Sequence, residues 1–349
     1  MKIKFASQRG DEFLTTVRKR VDQYFLKHNL SRNANVNLYI KVVLLFVVLI
    51  ALYVAIIMEM FPPLILLFMS MALGLVSGFI AINLSHDCLH GAYSENPKVN
   101  HVLGYSFDLV GLSSYVWKVS HNGGHHTYTN IAGFDPDIDK PALLRLTPSS
   151  PRYFFHRWQH IYIWILYSLV GMNWILHSDY VHMYQYYNKA SRSDIFWFYF
   201  FKALNLLLLV GIPLYVMTIP WWQIMIGYLG YLVTGGFPIA LIFQLAHLVE
   251  NVEFPEPDQS GLINKNWGEH EMRTTSNFGK SDLLNYLVGG LNFQVEHHLM
   301  PYISHVHYNK ISGIVKETAK EFGLPYNQHP SMWKAIVSHY QTLRKLGIR

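Results

Sequence analysis

Residues 42–57 read VVLLFVVLIALYVAII and contain no charged side chain. A helix needs about 20 predominantly apolar residues to cross a hydrocarbon core of ~30 Å, and residues 38–41 supply the remaining length at the interface. After Glu59 and a Phe-Pro-Pro turn at 61–63, a second uncharged run extends to Ser85. Two such runs joined by a tight turn predict a transmembrane hairpin.

A second hairpin is predicted further along the chain. Apolar runs at 195–219 and 223–246 flank a Pro-Trp-Trp sequence at 220–222, and tryptophan is enriched at membrane–water interfaces. Between Lys202 and Lys265 there is no lysine or arginine, and the turn of the first hairpin also lacks both. Because lysine and arginine are enriched in cytoplasmic loops, we expect both turns outside and the remaining loops in the cytosol.

The composition of the 349 residues supports an integral membrane protein. Hydrophobic residues make up 51 % of the chain and charged residues 14 %, against about 25 % charged residues in soluble proteins. The net charge of +6 is modest for a nucleic-acid-binding protein, so we expect membrane lipid and no nucleic acid as a partner. The single cysteine, Cys88, excludes an intramolecular disulfide framework and a cysteine-based metal site.

Two further apolar segments, 102–116 and 160–181, are expected to lie at the interface without crossing. If segment 160–181 crossed, the histidine motifs before and after it would lie on opposite sides of the membrane, although they are expected to form one site. The predicted fold is therefore an all-α integral membrane protein. It has four transmembrane helices in two hairpins, interfacial helices, and a cytosolic helical cap carrying a histidine-rich metal site.

The predicted domain boundaries follow from this topology. Residues 1–37 form a cytosolic N-terminal segment, residues 38–308 the membrane domain with its cytosolic histidine motifs, and residues 309–349 a cytosolic C-terminal cap. The tail contains KISGIVKETAKEFGL and WKAIVSHYQTLRKL, whose helical periodicity and mixed charge predict a soluble helical cap.

Histidine is the most informative residue type, with 19 histidines against 22 aspartates and glutamates together. Neutral imidazole is the commonest protein metal ligand. Three short motifs contain His86 and His90 (HDCLH), His121, His125 and His126 (HNGGHH), and His297 and His298 (QVEHH). A spacing of four residues aligns two imidazoles on one helical face, whereas adjacent histidines diverge and suit two neighbouring ions. These histidines exceed the needs of one ion, so the sequence predicts a dinuclear site.

The ligand set indicates which metal binds. Zinc is usually four-coordinate and would leave histidines unused, whereas non-haem iron takes imidazole and keeps positions open for dioxygen. An all-nitrogen diiron site facing membrane lipid predicts oxidation of an unactivated C–H bond.

The other histidines are expected at the interface or in solvent. They are His28, His101, His156, His160, His177, His182, His270, His329 and His339. His305 and His307 lie close enough in sequence to the third motif to be candidates for contact with its histidines.

At these motifs the sequence resembles the membrane fatty acid desaturase family. The segments HDCLHGAYS, SSYVWKVSHNGGHHTYTN and GGLNFQVEHHLMP are similar to the three histidine boxes of that family, and the resemblance extends from about residue 38 to the C-terminal cap. Gln294, in place of the first histidine of the third box, resembles the front-end acyl desaturases, which insert a double bond between an existing one and the carboxyl end. The resemblance implies four transmembrane helices, a cytosolic site with two non-haem irons, and dioxygen-dependent desaturation of a long-chain acyl-CoA or acyl-lipid.

Residues outside the box histidines are also assigned. Related desaturases use an additional histidine from the last transmembrane helix, which corresponds to His247; the odd number of box histidines supports this ligand. Gln294 is predicted to contact the iron weakly, or a water bound to it, through its amide. Asp87, Asn130 and Glu296 are placed in sequence to accept hydrogen bonds from the distal N–H groups of the ligating imidazoles.

The chain departs from many front-end desaturases, which carry a fused cytochrome b5 domain with a His-Pro-Gly-Gly motif. The His-Pro pair at 329–330 is followed by Ser-Met instead. We therefore expect a separate electron donor of the ferredoxin, rubredoxin or cytochrome b5 type. This arrangement is typical of bacteria and favours the cytoplasmic membrane with the active site facing the cytosol, or the endoplasmic reticulum in a eukaryote.

Other functions remain open from the residues alone. A hydroxylase or epoxygenase on the same diiron scaffold is an alternative, because only the fate of the carbon radical differs. A membrane metal transporter is another, but it would need polar residues within the spans, which residues 42–57 lack. Basic residues that could hold a coenzyme A phosphate are Lys118, Arg145, Lys265 and Arg273.

Overall fold

The computed structural model describes residues 3–6, 11–139 and 142–348, and within these ranges the chain is mostly helical. Five of the helices are long and apolar enough to cross a membrane, judged by length and composition alone. They are Val36–Ile57, Pro63–Leu89, Phe154–Lys189, Arg192–Val216 and Trp221–His247. Four of these correspond to the helices of the two predicted hairpins. The fifth, Phe154–Lys189, contains the segment that the sequence predicts to be interfacial.

The chain divides into two compact units. One unit contains Asn35–Val119 and Trp164–Leu241, and the other contains Met1–Ala34, Ser120–Ile163 and Ile242–Arg349. We call the first the helical-hairpin unit, because it holds most of the long apolar helices, and the second the histidine unit.

In the helical-hairpin unit, close packing of the long helices depends on small residues. Gly74 lies against the backbone of Tyr231, and Gly171 lies against the backbone of Leu232 and Gly236, where an added Cβ would collide. Small residues permit such close approach of helix backbones in membranes.

The turns of the two hairpins meet at one end of this unit. The Glu59 carboxylate accepts hydrogen bonds from the Thr218 hydroxyl at 2.6 Å and from the backbone N–H of Thr218. The prediction that both turns lie on the same side is therefore consistent with their contact.

The same unit contains a buried ion pair. The Lys202 ammonium lies 2.6 Å from the Asp179 carboxylate and donates to the carbonyls of Gly111 and Ile175. Lys202 and Asp179 are both buried, and pairing compensates the cost of burying each charge.

Several helical segments in the chain have π-type hydrogen bonding, which often occurs near functional sites. These are Ala81–Ser85, Lys118–His125, Trp174–Ser178 and Leu207–Gly211. The first two directly precede or contain predicted histidine boxes. Shorter α-helices of the helical-hairpin unit are Pro97–Gly104, Ser106–Leu109 and Ser114–Trp117.

The histidine unit is built around a separate apolar core. The helix Glu12–His28, capped by the Asp11 side chain at the Leu14 N–H, buries Val17 and Val21 against the helix Tyr308–Glu321. The C-terminal helix is Met332–Ile348, so the tail forms two helices, as its periodicity predicts. Other short helices of this unit are His126–Tyr128, Trp267–Thr274, Asp282–Leu287, Gln294–Leu299 and His305–His307.

Two pairs of very short parallel strands complete the histidine unit. Lys4–Phe5 pairs with Leu262–Ile263, and Asn277–Phe278 pairs with Gln328–His329. The second pair connects the segment before the third histidine box to the segment before the C-terminal helix.

Candidate metal centre

The first histidine box lies in the helical-hairpin unit. His86 and His90 follow the π-helical segment Ala81–Ser85, and their rings lie 4.7 Å apart, as their spacing of four residues predicts. Both rings also contact Trp117, at centroid distances of 5.5 and 5.2 Å. The predicted orienting residue Asp87 places a carboxylate oxygen 4.0 Å from the Nδ1 of His86, which is too long for a hydrogen bond.

The second box lies on a π-helical turn and enters the histidine unit. Gly124 is packed against Pro136 so closely that a side chain would collide, which holds this turn against the acidic loop that follows. In that loop, the Asp135 carboxylate accepts a hydrogen bond from the Nδ1 of His125 at 3.0 Å. Although burial lowers the pKa of His125, Asp135 and Asp137 together raise it to about 9.

Asp135 is itself held by backbone groups. Its carboxylate accepts the N–H of Asn130 at 2.8 Å and the N–H of Asp137 at 2.9 Å. A ring nitrogen fixed by a positioned carboxylate leaves the other nitrogen, Nε2, as the metal-binding atom.

The third box lies on the helix Gln294–Leu299, with both histidines fully buried. The Nδ1 of His298 donates to the Glu271 carboxylate at 2.8 Å, and Glu271 also accepts the Thr129 hydroxyl at 3.0 Å. The Nδ1 of His297 lies 3.1 Å from the Tyr308 hydroxyl. Burial raises the pKa of Glu271 well above its usual range, so a nearby cation would stabilise its carboxylate form.

His247, at the end of the last long helix, lies beside these rings. Its ring centroid is 4.7 Å from that of His125 and 4.8 Å from that of His298. Its Nδ1 donates to the Thr274 carbonyl at 3.3 Å. One ring nitrogen from each of these three histidines lies within 4.8 Å of the others, which is compatible with a shared metal ion.

The buried nitrogens of this group support a metal. Within the described part of the chain, the Nε2 atoms of His125 and His247 have no hydrogen-bond partner. A buried polar atom without a partner is costly, and a metal bond would satisfy it. We refer to His125, His247 and His298 as the three-histidine group.

A second set of histidines adjoins the three-histidine group in the same unit. The Nε2 atoms of His121 and His126 are 3.1 Å apart, and the ring of His126 is 4.6 Å from that of His297 and 4.4 Å from that of His298. Five box histidines and His247 therefore lie together in the histidine unit.

Gln294 lies one turn before the histidines of its helix. It is fully buried, and neither polar atom of its amide has a hydrogen-bond partner among the described residues. A buried amide in this state needs a ligand or a water, which agrees with the predicted contact to the metal or to a water bound to it.

Two of the predicted orienting residues are placed differently. The Asn130 amide nitrogen donates to the carbonyls of His247 and Glu253, at 3.0 and 3.1 Å, and its oxygen has no hydrogen-bond partner among the residues that the structure describes. Glu296 accepts hydrogen bonds from Tyr326 and Asn277, both at 2.8 Å, and anchors the helix of the third box. Asp135 and Glu271 are carboxylates that hydrogen-bond to box imidazoles.

A model of the fatty acid desaturase family matches residues 61–330, which is more than half of the chain. The chain belongs to this family.

Known desaturases are similar over the whole chain. A sn-1 linoleoyl-lipid 6-desaturase of Synechocystis is 37 % identical over 99 % of this chain and 98 % of its own length. The enzyme of the same name from Arthrospira platensis is 34 % identical, covering 99 % and 95 %. An acyl-lipid (8-3)-desaturase of Physcomitrium patens is 29 % identical, covering 99 % of this chain and 74 % of its own.

These relatives decide between the functions that the residues left open. The protein is an oxidoreductase that desaturates fatty acyl chains, and the front-end type indicated by Gln294 fits the desaturases that it resembles. The comparisons therefore favour desaturation over hydroxylation, epoxidation and metal transport. The family and the histidine clusters together indicate a metal site.

Some histidines outside the desaturase boxes are less exposed than the sequence predicts. His156, His160, His270, His307 and His339 are buried, and three of them lie within hydrogen-bonding distance of a backbone carbonyl. His156 lies 2.7 Å from the Ala142 carbonyl, His339 lies 2.8 Å from the Leu248 carbonyl, and His307 lies 3.0 Å from the Asn33 carbonyl. Imidazole provides a buried donor for carbonyls that helix ends leave open, and short-range patterning does not reveal this role.

Three of the four basic residues considered as ligands of a coenzyme A phosphate already bind carbonyls or a carboxylate of the desaturase itself. Arg145 is buried and donates to the carbonyls of Ser150 and Leu346. Arg273 and Lys265 both pair with Glu253. Lys118 is exposed on the helical-hairpin unit.

Proposed function

We propose that this desaturase holds two non-haem irons and uses dioxygen to insert a double bond near the carboxyl end of an acyl chain carried by a membrane lipid. The observation that carries the proposal is the three-histidine group, in which buried imidazole nitrogens converge within 4.8 Å. Imidazole suits iron, and a ligand set of this kind leaves positions open for dioxygen.

The proposed ligands of the first iron are His125, His247 and His298. The remaining box histidines, His86, His90, His121, His126 and His297, are proposed as ligands of the second iron. Gln294 contacts a water bound at this centre or contributes a weak amide ligand.

The protein fixes the orientation of the first three ligands through their Nδ1 atoms. Asp135 accepts from His125, the Thr274 carbonyl from His247, and Glu271 from His298. The Nε2 of each ring is then the nitrogen available to bind the metal. Acceptors of this kind raise ligand basicity and preserve the geometry when the charge of the centre changes.

When bound, the irons supply the activation of dioxygen that protein side chains cannot provide. In the overall reaction, two hydrogen atoms leave neighbouring methylenes, and together with two electrons and two protons they reduce dioxygen to two waters. The electrons come from a separate donor of the ferredoxin, rubredoxin or cytochrome b5 type.

The acyl chain is proposed to enter the apolar interior of the helical-hairpin unit. A cavity of about 680 Å³, including its open mouth, is lined mainly by leucine and isoleucine side chains together with Tyr53 and Tyr231. Tyr231 donates its hydroxyl hydrogen bond to the Val110 carbonyl and also borders a second, smaller cavity. The relatives are a linoleoyl-lipid desaturase and an acyl-lipid desaturase, which supports a lipid-bound substrate.

The three-histidine group supports the prediction of four membrane spans. Three candidate spans end between His125 and His298 along the chain: Phe154–Lys189, Arg192–Val216 and Trp221–His247. An odd number of crossings would place His125 and His298 on opposite sides of the membrane. We therefore propose that Phe154–Lys189 lies at the interface and that the hairpin helices alone cross.

Three further predictions remain part of this proposal. They are the division into residues 1–37, 38–308 and 309–349, the cytosolic orientation of the metal centre, and the cytoplasmic membrane as its location, with the endoplasmic reticulum in a eukaryotic cell.

The test uses purified protein in vesicles, a chemical or enzymatic reductant, and a lipid with a deuterium-labelled acyl chain. We expect iron-dependent loss of two hydrogen isotopes from neighbouring carbons, at a position close to the ester. A product that gains oxygen, or full activity in a preparation that carries zinc and no iron, would contradict the proposal.

A further inference from the structure

A cavity in the helical-hairpin unit is separate from the apolar interior and has a polar base. Its volume is about 450 Å³ when the open solvent at its mouth is counted, and its lining includes Asp108, Ser114, Lys118, Tyr105 and Trp197. Lys118 is exposed, whereas Asp108 and Ser114 are buried. The cavity therefore leads from the surface to a buried carboxyl group.

Only one of the two carboxyl oxygens of Asp108 accepts a hydrogen bond from the described part of the protein. One of its carboxyl oxygens accepts the N–H of Ser114 at 3.1 Å, whereas the other, Oδ2, has no hydrogen-bond partner in the described part of the chain. The side chain is 3 % exposed. Leaving a buried acceptor without a donor is unfavourable, so the site favours a ligand that donates a hydrogen bond.

The walls of this cavity fit an uncharged or cationic polar group. The rings of Tyr105 and Trp197 lie 5.5 Å apart, and the rings of Tyr115 and Phe198 also line the cavity. Aromatic faces beside a carboxyl group bind ammonium groups, and they also pack against the C–H faces of polyhydroxylated groups.

The charges of the lining disfavour a polyphosphate. The lining contains two carboxyl groups, Asp108 and Asp194, together with Lys118 and His101, and burial raises the pKa of Asp108 to about 7. Asp194 accepts hydrogen bonds from the N–H and the hydroxyl of Ser191, at 2.9 and 2.6 Å. The several phosphates of coenzyme A would be repelled by such a site.

The cavity adjoins the first histidine box. Leu89 in its wall directly precedes His90, and Lys118 directly follows Trp117, whose ring contacts both His86 and His90. A front-end desaturase oxidises carbons only a few bonds from the ester. The head group of its substrate must therefore bind close to the metal ligands, as this cavity would allow.

We propose that this cavity binds the polar head group of the acyl-lipid substrate, through a hydrogen bond that a hydroxyl or ammonium group of the head group donates to Asp108. The inference rests on the proposed function, since it assumes that the acyl chain is attached to a membrane lipid. It assigns Asp108 as a specificity residue that recognises the carrier of the acyl chain.

The test measures binding of water-soluble, short-chain lipids to the full-length protein by calorimetry. Dihexanoyl forms of phosphatidylethanolamine, phosphatidylglycerol and galactosyl glycerol offer ammonium or hydroxyl donors; dihexanoyl phosphatidic acid and hexanoyl-CoA serve as comparisons. We expect at least one of the first three to bind more tightly than both comparisons, and the preferred lipid identifies the donor group.

Asp108→Asn is the informative variant. Its amide oxygen can still accept the Ser114 N–H, but its amino group replaces the acceptor offered to the head group. We expect the dissociation constant of the preferred lipid to rise about tenfold, which is the effect of about 1.4 kcal/mol. Asp258→Asn, a change of the same type at an exposed turn, is expected to bind like the wild type.

A second variant keeps the test informative if Asp108→Asn does not fold. Trp197→Leu removes an aromatic wall from a partly exposed position and is also expected to weaken lipid binding while hexanoyl-CoA binding is unchanged. In turnover assays, both variants should raise the KM for the lipid more than they lower kcat.

The proposal is overturned if Asp108→Asn and Trp197→Leu both bind the lipids as tightly as the wild type does, or if the wild type binds hexanoyl-CoA or phosphatidic acid most tightly. Head-group binding requires no iron, so this result is distinct from a failure of the proposed function. A wild-type protein that contains iron and desaturates acyl-CoA alone would refute the head-group site and leave the diiron desaturase intact.

Discussion

In each member of the three-histidine group, the Nδ1 atom is held by a buried acceptor. Asp135 comes from the loop after the second box, Thr274 and Glu271 from one short helix. Because the acceptors are buried and fixed, the imidazoles are oriented before any metal binds. This preorganisation lowers the cost of assembling the centre.

Glu271 gives a direct test of this orientation. Glu271→Gln keeps the size of the side chain but weakens the hydrogen bond from His298, so we expect iron affinity or turnover to fall about 10- to 100-fold. Iron titration of the purified apoprotein measures the effect. Glu269→Gln, on the same helix but paired with Arg273 at a partly exposed position, is the control and should leave both unchanged. Equal behaviour of the two variants would refute the role of Glu271.

Gln294 is expected to separate activity from metal content. An amide cannot replace imidazole as a strong iron ligand, but its two buried polar atoms lack partners in the described chain. Gln294→Ala should therefore reduce desaturation at least tenfold while most of the iron remains, as measured by metal analysis of the same sample. Loss of a full equivalent of iron would instead identify Gln294 as a direct ligand.

At the scale of elements, the C-terminal helix is tied to the chain just after His247. The Nδ1 of buried His339 lies 2.8 Å from the Leu248 carbonyl, to which it donates. His339→Leu leaves that carbonyl without a donor and should lower the free energy of unfolding by about 1–3 kcal/mol. Thermal unfolding of the protein in detergent measures this. Gln341→Ala, at an exposed site of the same helix, should change it by less than about 0.5 kcal/mol.

The pH dependence of this contact has a definite sign. Burial lowers the pKa of His339 to about 4, below its unfolded value of about 6.5. The unfolded state therefore binds the proton more readily, so the contribution of His339 is complete above pH 6.5 and is lost as the pH falls towards 4. The His339→Leu variant should lose less stability than the wild type over this range. An identical acid dependence of both proteins would contradict the contact.

The sequence predicts the elements that depend on local spacing, and it misses those that depend on distant pairing. The helices of the two hairpins follow from hydropathy, and the ring contact of His86 with His90 follows from four-residue spacing. Glu271 contacts His298 only because the folded chain brings two helices together, so nothing near either residue reveals it. Asp135 lies in the acidic run of residues 135–139 after the second box. That run is the sequence feature from which its contact with His125 could have been predicted.

The predicted roles of Asn130 and Glu296 differ from their observed contacts for the same reason, since those contacts depend on distant pairing. Asn130 and Glu296 neighbour histidines in sequence, but each contacts backbone or side chains from other segments. The helix Phe154–Lys189 illustrates the limit of composition, because an apolar helix at the interface and one that crosses can have the same hydropathy.

The topology of the whole molecule depends on how many helices cross the membrane. The native cysteine, Cys88, is buried, so introduced cysteines report on their own positions. Cysteine at Met60, in the first hairpin turn, should react with an impermeant reagent added outside intact cells, whereas cysteine at Asn173 should react only after permeabilisation. Both sites are exposed on the protein. Labelling of Asn173→Cys from outside would contradict the four-span topology.

The most direct test of the central claim is the iron content of the purified protein, measured together with desaturation in the same sample. We expect two irons per wild-type chain. The His247→Ala variant should lose iron and all desaturation while still inserting into the membrane. His28→Ala, at an exposed position outside the cluster, should retain both irons and full turnover. A His247→Ala protein that keeps both irons and near-normal turnover would contradict the role of the three-histidine group.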